Sequence, residues 1–169
     1  MNFNIVKHTW RLLVFIAIQV LILNHVYLGG FITPFIYPII ILLLPFDTKG
    51  WILLVYAFGV GLFLDMFSET MGMHAAALVV MAFLRPAIIR LISTKTDYDP
   101  GIEPRIENNG FGWILLYTTL LLFIHHFALF SIEVFRIDEI NQIAIRSVFS
   151  TLASTLIIAV SHLLMGKPS

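Results

Sequence analysis

Residues 51–92 read WILLVYAFGVGLFLDMFSETMGMHAAALVVMAFLRPAIIRLI, two long apolar runs that are separated by one short polar turn. The first run extends from Trp51 to Phe67 and the second from Gly72 to Ile92. At a rise of about 1.5 Å per residue, about 20 helical residues cross the hydrocarbon core of a bilayer. These two runs therefore predict a pair of transmembrane helices joined by a tight turn.

Four further apolar runs flank this pair, at Trp10–Leu28, Phe31–Phe46, Trp113–Phe135 and Ile143–Met165. Phe31–Phe46 is short and contains three prolines, so it is either a kinked span or a partly re-entrant segment. Irregular backbone at membrane depth must be covered by protein, which places this segment inside the bundle. We therefore predict an all-α membrane protein, a single domain over residues 1–169 with about six transmembrane helices and a polar loop at 93–112.

The composition supports membrane insertion and excludes several classes of function. Hydrophobic residues make up 59% of the chain and charged residues 12%, about half the charged share of a soluble domain. The chain has no cysteine, which excludes disulfides and thiolate metal sites. Its net charge is zero and it lacks a basic cluster, so we expect no nucleic-acid partner.

The distribution of basic residues predicts the orientation. With six spans, one side receives eight of the ten: Lys7, Arg11, Lys49, Arg85, Arg90, Lys95, Arg105 and Lys167. The other side receives only Arg136 and Arg146. By the positive-inside rule, both termini and the 93–112 loop are cytoplasmic. A five-span arrangement with a re-entrant Phe31–Phe46 fits this distribution less well.

Asp65 is the ionisable residue that most needs an explanation, because it lies in the last turn of a predicted span. There the negative end of the helix dipole and partial desolvation both disfavour its charge. Two partners could compensate: the free backbone N–H groups at the start of the next helix, Gly72–His74, or the guanidinium of Arg146 as an ion pair. Either would fix the junction between the third and fourth helices.

Other polar residues are predicted at the same outer level, namely Asn24, His25, His74, His125 and His126. One interpretation of this outer polar cluster is structural pairing between helix ends, and the other is a small-ligand site that opens outward. Because His125 and His126 are adjacent, their side chains point about 100° apart and cannot chelate one ion together. We predict no metal and no cofactor.

No catalytic motif is present. The chain lacks H-E-x-x-H and G-x-S-x-G, and Gly59-Val60-Gly61 is followed by leucine where an intramembrane aspartyl protease would have aspartate. The last span carries small residues every four positions, which predicts a helix-packing face; they are Ser147, Thr151, Thr155 and Ala159, beside Ser150 and Ser154. These patterns favour a protein that is not an enzyme.

The stretch Gly61-Leu62-Phe63-Leu64-Asp65-Met66-Phe67-Ser68, followed by Gly72-Met73-His74-Ala75-Ala76-Ala77, resembles the bacterial rod shape-determining protein MreD family. The motif positions of that resemblance are Gly61, Asp65, Ser68, Gly72 and His74. Chain length and the six-span layout agree with the same family.

This resemblance implies a non-enzymatic role in the bacterial inner membrane, with MreC as the direct partner. The complex that it implies directs lateral peptidoglycan synthesis and also contains MreB and the wall polymerase and transpeptidase. It further implies a fold similar to the substrate-binding subunits of energy-coupling-factor transporters, and no small-molecule substrate is expected. The alternative is that the chain is itself such a vitamin-binding subunit, although Ala17 is the only small residue inside its first helix.

Overall fold

The computed structural model describes residues 5–26, 31–93, 99 and 101–165, and these residues form an all-α membrane protein. Five longer helices account for most of the chain: α1 (Ile5–Leu21), α3 (Gly50–Ser68), α4 (Met73–Ile92), α6 (Phe111–Val134) and α7 (Ile140–Met165). Two helices of a single turn, α2 (Ile39–Leu42) and α5 (Ile106–Asn109), lie in the connections. Short 3-10 turns follow α1 at Leu23–His25 and precede α7 at Ile137–Glu139.

Four of the helices are long and apolar enough to cross a membrane. Their qualifying portions contain 19, 20, 24 and 22 residues and belong to α3, α4, α6 and α7 respectively. Helix α1 is shorter, and its apolar part extends through the 3-10 turn as Trp10–His25. The predicted Gly29-Gly30 end of the first span lies outside the described residues.

Contacts between distant residues show that the chain passes from one end of the bundle to the other. The Arg11 guanidinium near the start of α1 donates to Glu103 at 3.0 Å, and we name this the Glu103 end. Beyond α1, the Asn24 amide donates to Ser68 at the last residue of α3 at 3.1 Å, and we name this the Asp65 end. Helices α3, α4, α6 and α7 then alternate in direction, because hydrogen bonds join the second half of α4 to the first half of α6 and the last turn of α6 to the first half of α7. Each of these helices packs on the next.

Residues 31–46 also cross the bundle, and we call them the crossing segment. Near its start, the Thr33 N–H donates to the Ser150 hydroxyl of α7 at 3.1 Å. At its other end, the Phe46 N–H donates to the Ile102 carbonyl at 3.0 Å, at the Glu103 end. The described residues thus make six passes along the bundle, but the second pass is helical only at α2. The expectation of about six helices therefore roughly fits: the five longer helices make five of the passes, and the crossing segment makes the sixth.

The crossing segment is non-helical outside α2 because Pro34, Pro38 and Pro45 lack the N–H that a continuous helix needs. Residues 33–45 are nevertheless buried, so their backbone groups must find partners other than water. Side chains of the surrounding helices supply them. Phe35 N–H donates to Ser154 at 2.8 Å, and Ile36 N–H donates to the Gln19 side-chain oxygen at 2.8 Å.

Carbonyl groups near the end of the crossing segment are bound by two residues of the long helices. The Tyr117 hydroxyl donates to the Leu42 carbonyl at 3.1 Å, and Arg85 donates to the Leu44 carbonyl. The Arg85 Nε also donates to the Tyr117 oxygen at 2.7 Å. Arg85 is 1% exposed and makes no ion pair within the described part of the chain. Its charge is therefore balanced by carbonyl and hydroxyl dipoles.

The described part of the 93–112 loop is packed against the Glu103 end of the bundle. Glu103 is buried and accepts from both Arg11 and Arg105 at 3.0 Å. The Gly101 N–H donates to the Asp47 carboxylate at 3.0 Å. Asp99 and Glu107 are exposed, whereas Lys95 and Asp97 lie outside the described residues. Glu103 thus has a structural partner within the chain.

Candidate functional site: a polar cavity at the Asp65 end

Asp65 joins the end of α3 to the start of α4 through both of its carboxylate oxygens. One oxygen accepts from the Thr70 hydroxyl at 2.6 Å and from the His74 N–H at 3.0 Å. The other accepts from the Ala75 N–H at 3.0 Å. His74 and Ala75 are the second and third residues of α4, where the N–H groups have no partner within the helix. Of the two predicted arrangements for Asp65, the structure has the one at the helix N-terminus.

Gly61, one turn before Asp65, allows α3 and α4 to come into backbone contact. A Cβ atom at this position would lie 2.6 Å from the Ala75 nitrogen, 2.8 Å from the His74 carbonyl oxygen, and closer still to the Ala75 Cα. Backbone atoms cannot move aside as a flexible side chain would. Gly72 lies in the turn with a φ of +82°, a conformation that L side chains rarely adopt. These glycines and Asp65 therefore form one junction, which we call the α3–α4 junction.

Arg146 is not the partner of Asp65. Its guanidinium donates to Glu133 of α6 at 3.0 Å and lies 3.9 Å from the centre of the Phe130 ring. The reason is local: Asp65 already has three donors, while Glu133 lies in the last turn of α6, near the start of α7. The prediction of an Asp65–Arg146 ion pair is therefore wrong, and Arg146 joins α6 to α7 instead.

A cavity of about 480 Å³ opens at the Asp65 end, beside the α3–α4 junction. Its polar lining comes from residues at and beside the connections that follow α1 and α3, and from α6 and α7: Asn24, His25, Thr33, Ser68, Glu69, Thr70, Glu133 and Arg146. Phe35, Phe67, Met73, Val20 and Leu129 complete the wall. The volume is within the usual range for a small-molecule pocket. Two residues of the predicted outer polar cluster, Asn24 and His25, therefore line a common cavity.

The other histidines of that predicted cluster do not line the cavity. His125 and His126 are fully buried and His74 is 6% exposed. The Phe35 ring, which lines the cavity, contacts all three imidazole rings at centroid distances of 5.4–6.0 Å. Phe35 thus lies between the cavity and a buried polar layer. His125 and His126 were predicted at the outer level of the bundle as part of a shared polar cluster, but they are buried against the crossing segment, whose path the sequence pattern did not locate.

The buried layer is a hydrogen-bonded network centred on Tyr37. The Tyr37 hydroxyl lies 2.8 Å from His74 Nδ1 and 2.5 Å from His125 Nε2. His126 has different partners, the Ser154 hydroxyl at 3.2 Å and the Leu122 carbonyl at 2.7 Å. The two adjacent histidines thus use different partners, as their angular separation on the helix requires. In the described part of the chain, no three His, Asp or Glu side chains converge on a point suitable for a metal ion.

Sequence reasoning missed Gln19, Tyr37 and the role of the small residues on α7. The stripe is buried apart from the half-buried Ala159, and Ser150 and Ser154 also accept hydrogen bonds from the crossing segment. The sequence did contain a signal for these contacts. A proline-rich run leaves backbone groups unpaired, and Gln19 and several serines within apolar helices are the side chains that could pair with them.

Comparison of the chain with models of known protein families, with curated proteins and with solved structures gives no match.

Proposed function

We propose that this chain is a non-enzymatic membrane component of the bacterial complex that directs rod-shaped growth and lateral peptidoglycan synthesis. In this proposal it acts with MreC in the inner membrane, as its resemblance to the MreD family implies, and MreB and the wall polymerase and transpeptidase belong to the same assembly. Both termini are cytoplasmic. The Glu103 end, where Arg11, Arg85 and Arg105 lie, is then the cytoplasmic end.

The observation that carries the proposal is how the motif residues are used. Asp65 accepts two hydrogen bonds from the start of α4 and one from Thr70 in the turn before it, and Gly61 permits the backbone contact beside it. Ser68, another motif position, accepts from Asn24 and so connects α1 to the same junction. A motif that is fully engaged in holding helices together supports a scaffold function better than proton transfer.

One arrangement in the described residues has the composition of a nucleophile and its base. The Ser154 hydroxyl lies 3.2 Å from His126 Nε2. Both residues are 0% exposed, and the same hydroxyl accepts the Phe35 N–H of the crossing segment. A substrate would have to displace that segment to reach Ser154. The geometry therefore supports a structural function for this pair.

The proposal is tested by affinity purification of the tagged full-length chain from native membranes, with detection of MreC. We expect MreC to co-purify with the tagged chain in a defined ratio. Recovery of the tagged chain from native membranes without MreC would contradict the proposal. A companion variant neutralises Asp97, Asp99 and Glu107 together, because a cytoplasmic partner could contact these loop residues. Glu103 is left intact in this variant because it pairs with Arg11 and Arg105.

A second candidate function, the substrate-binding subunit of an energy-coupling-factor vitamin transporter, is favoured by one observation, the cavity of about 480 Å³. In the orientation proposed here, this cavity faces outward. Equilibrium binding of radiolabelled vitamins to the purified chain separates the two functions. Saturable binding together with absence of MreC from the native complex would replace the first proposal with the second.

A further inference from the structure

A groove with an entirely apolar lining runs between α1 and α3 on the outside of the bundle. It has a volume of about 260 Å³ and is lined by Leu13, Ile16, Ala17, Val20, Leu21, Phe63 and Phe67. Most of these side chains are exposed, including Leu21 at 73% and Phe67 at 54%. Ala17, with its single methyl group, leaves the middle of the groove open. In a membrane, this groove is accessible to hydrocarbon chains.

The groove is continuous with the polar cavity, because Val20 and Phe67 line both. A ligand could therefore place a polar group in the cavity and an apolar chain in the groove without crossing a wall of protein. A small water-soluble ligand would use only the cavity. The composite shape matches an amphiphile that has one polar head and at least one long chain.

The dimensions of the groove match one leaflet. From Leu13 to Leu21 is eight residues, and a helix rises about 1.5 Å per residue, which gives a length of about 12 Å. Half of the hydrocarbon core of a bilayer is about 15 Å. The groove lies along the second half of α1 and the last turns of α3, so it extends from the Asp65 end toward the middle of the bundle. An acyl chain anchored by its head in the cavity would run along it.

The charges around the cavity select among lipid headgroups. Glu69 is exposed and has no ion-pair partner among the described residues, whereas Glu133 is paired with Arg146. Two carboxylates and one guanidinium leave the lining with a net negative charge when His25 is neutral. A headgroup that carries only negative charge would place that charge beside Glu69 without compensation. A zwitterionic headgroup can direct its cation to Glu69 and its phosphate to Arg146.

The hydrogen-bonding groups refine this choice further. Glu69, Ser68 and Thr70 present oxygen atoms at one side of the cavity. A primary ammonium has three N–H donors for such acceptors, whereas a trimethylammonium has none. We infer that the joined cavity and groove bind a phospholipid with a primary ammonium headgroup, with the ammonium at Glu69 and an acyl chain between α1 and α3.

The site is tested in vesicles that contain equal amounts of phosphatidylethanolamine, phosphatidylglycerol and phosphatidylcholine with identical acyl chains. The full-length chain is released in mild detergent, and retained lipids are counted by native mass spectrometry. We expect one retained phosphatidylethanolamine per chain, enriched about fivefold over the other two, which is the upper end of the ratio that an exposed ion pair provides. Equal retention of all three lipids, or preferential retention of phosphatidylglycerol, would overturn the headgroup assignment.

Two pairs of variants locate the lipid. Ala17→Phe fills the groove and should abolish retention of every lipid, whereas Val148→Phe adds bulk to an exposed position on α7 and should change nothing. Glu69→Gln should reduce the enrichment to about one while lipid is still retained, and Glu107→Gln removes the same charge at the opposite end as its control. If Ala17→Phe is not monodisperse, the smaller substitution Ala17→Leu replaces it, and it should lower lipid retention in part. Undiminished retention in the folded Ala17 variant refutes the site.

This inference is independent of the proposed function, since lipid retention is measured on the purified chain without MreC. The same variants also distinguish a lipid from other possible occupants of the cavity and groove. A soluble vitamin-like ligand would bind equally well to Ala17→Phe and would leave the groove empty. A partner helix would occupy the groove only in a complex, so the purified chain alone should still retain lipid. Absence of retained lipid from the purified chain would therefore contradict the inference.

Discussion

Replacement of Asp65 tests the α3–α4 junction directly. Asp65→Leu removes all three acceptor interactions, with the Thr70 hydroxyl and with the N–H groups of His74 and Ala75. Asp65→Asn keeps the oxygen that accepts from Thr70 and His74, and places an amide group against the Ala75 N–H. Asparagine should therefore lose one hydrogen bond where leucine loses three. The two substitutions remove the same charge, so their difference measures hydrogen bonding.

The magnitudes follow from these counts. A hydrogen bond to a charged group contributes about 1.5–3 kcal/mol, so Asp65→Asn should lower the free energy of unfolding by about 2 kcal/mol. Three such bonds would contribute about 4.5–9 kcal/mol, but the half-buried Thr70 hydroxyl can turn to water, so we expect a loss near the lower end, about 5 kcal/mol, for Asp65→Leu. For a chain of this size, these losses correspond to decreases in Tm of about 5 °C and about 15 °C.

The assay is thermal unfolding in mild detergent, with the folded fraction measured by size-exclusion chromatography after heating. Asp47→Asn is the matched control, because Asp47 makes one exposed hydrogen bond at the Glu103 end. It should change Tm by no more than a few degrees. If Asp65→Asn lowers Tm as much as Asp65→Leu, while both proteins insert and remain abundant, the charge itself matters. The hydrogen-bonded junction would then be the wrong explanation, and a ligand at the cavity would be favoured.

Three further predictions concern other parts of the bundle. Gly61→Ala should destabilise the protein by about 2 kcal/mol in the same assay, because the added Cβ would meet the backbone of α4. Gly59→Ala is the control: a Cβ there would have no atom within 4 Å, so the substitution should be neutral or slightly stabilising. Ser154→Ala leaves the buried Phe35 N–H without its acceptor and should lower the free energy of unfolding by about 1–3 kcal/mol. Its control is Ser161→Ala, which should cost much less because the Ser161 hydroxyl donates within its own helix to Ile157. Equal losses would contradict the account of the crossing segment. Single cysteines at positions 69 and 99 test orientation in intact spheroplasts: a membrane-impermeant thiol reagent should label position 69 only, and labelling of position 99 from outside would reverse the proposed topology.

The sequence alone was sufficient to predict a membrane-embedded all-α fold and six passes. Apolar runs of 16 residues or more, with about half the usual charge, leave little choice, because a bilayer tolerates few alternatives to a helix. The junction at Asp65 was also accessible, since a carboxylate at a helix C-terminus needs compensation and the next helix begins within a few residues. These conclusions depend on interactions that are local in the sequence.

The tertiary structure alone decided the path of the crossing segment and the positions of its partners. Gln19, Ser150 and Ser154 bind backbone groups of residues 33–36, and no periodic pattern along the chain shows which side chains and backbone groups meet in space. For the same reason, the sequence could not distinguish Glu133 from Asp65 as the partner of Arg146, nor place His125 and His126 beneath Phe35. Which polar groups meet is determined by how the helices rotate and pack, because buried backbone groups in a membrane must be satisfied by whatever side chains reach them.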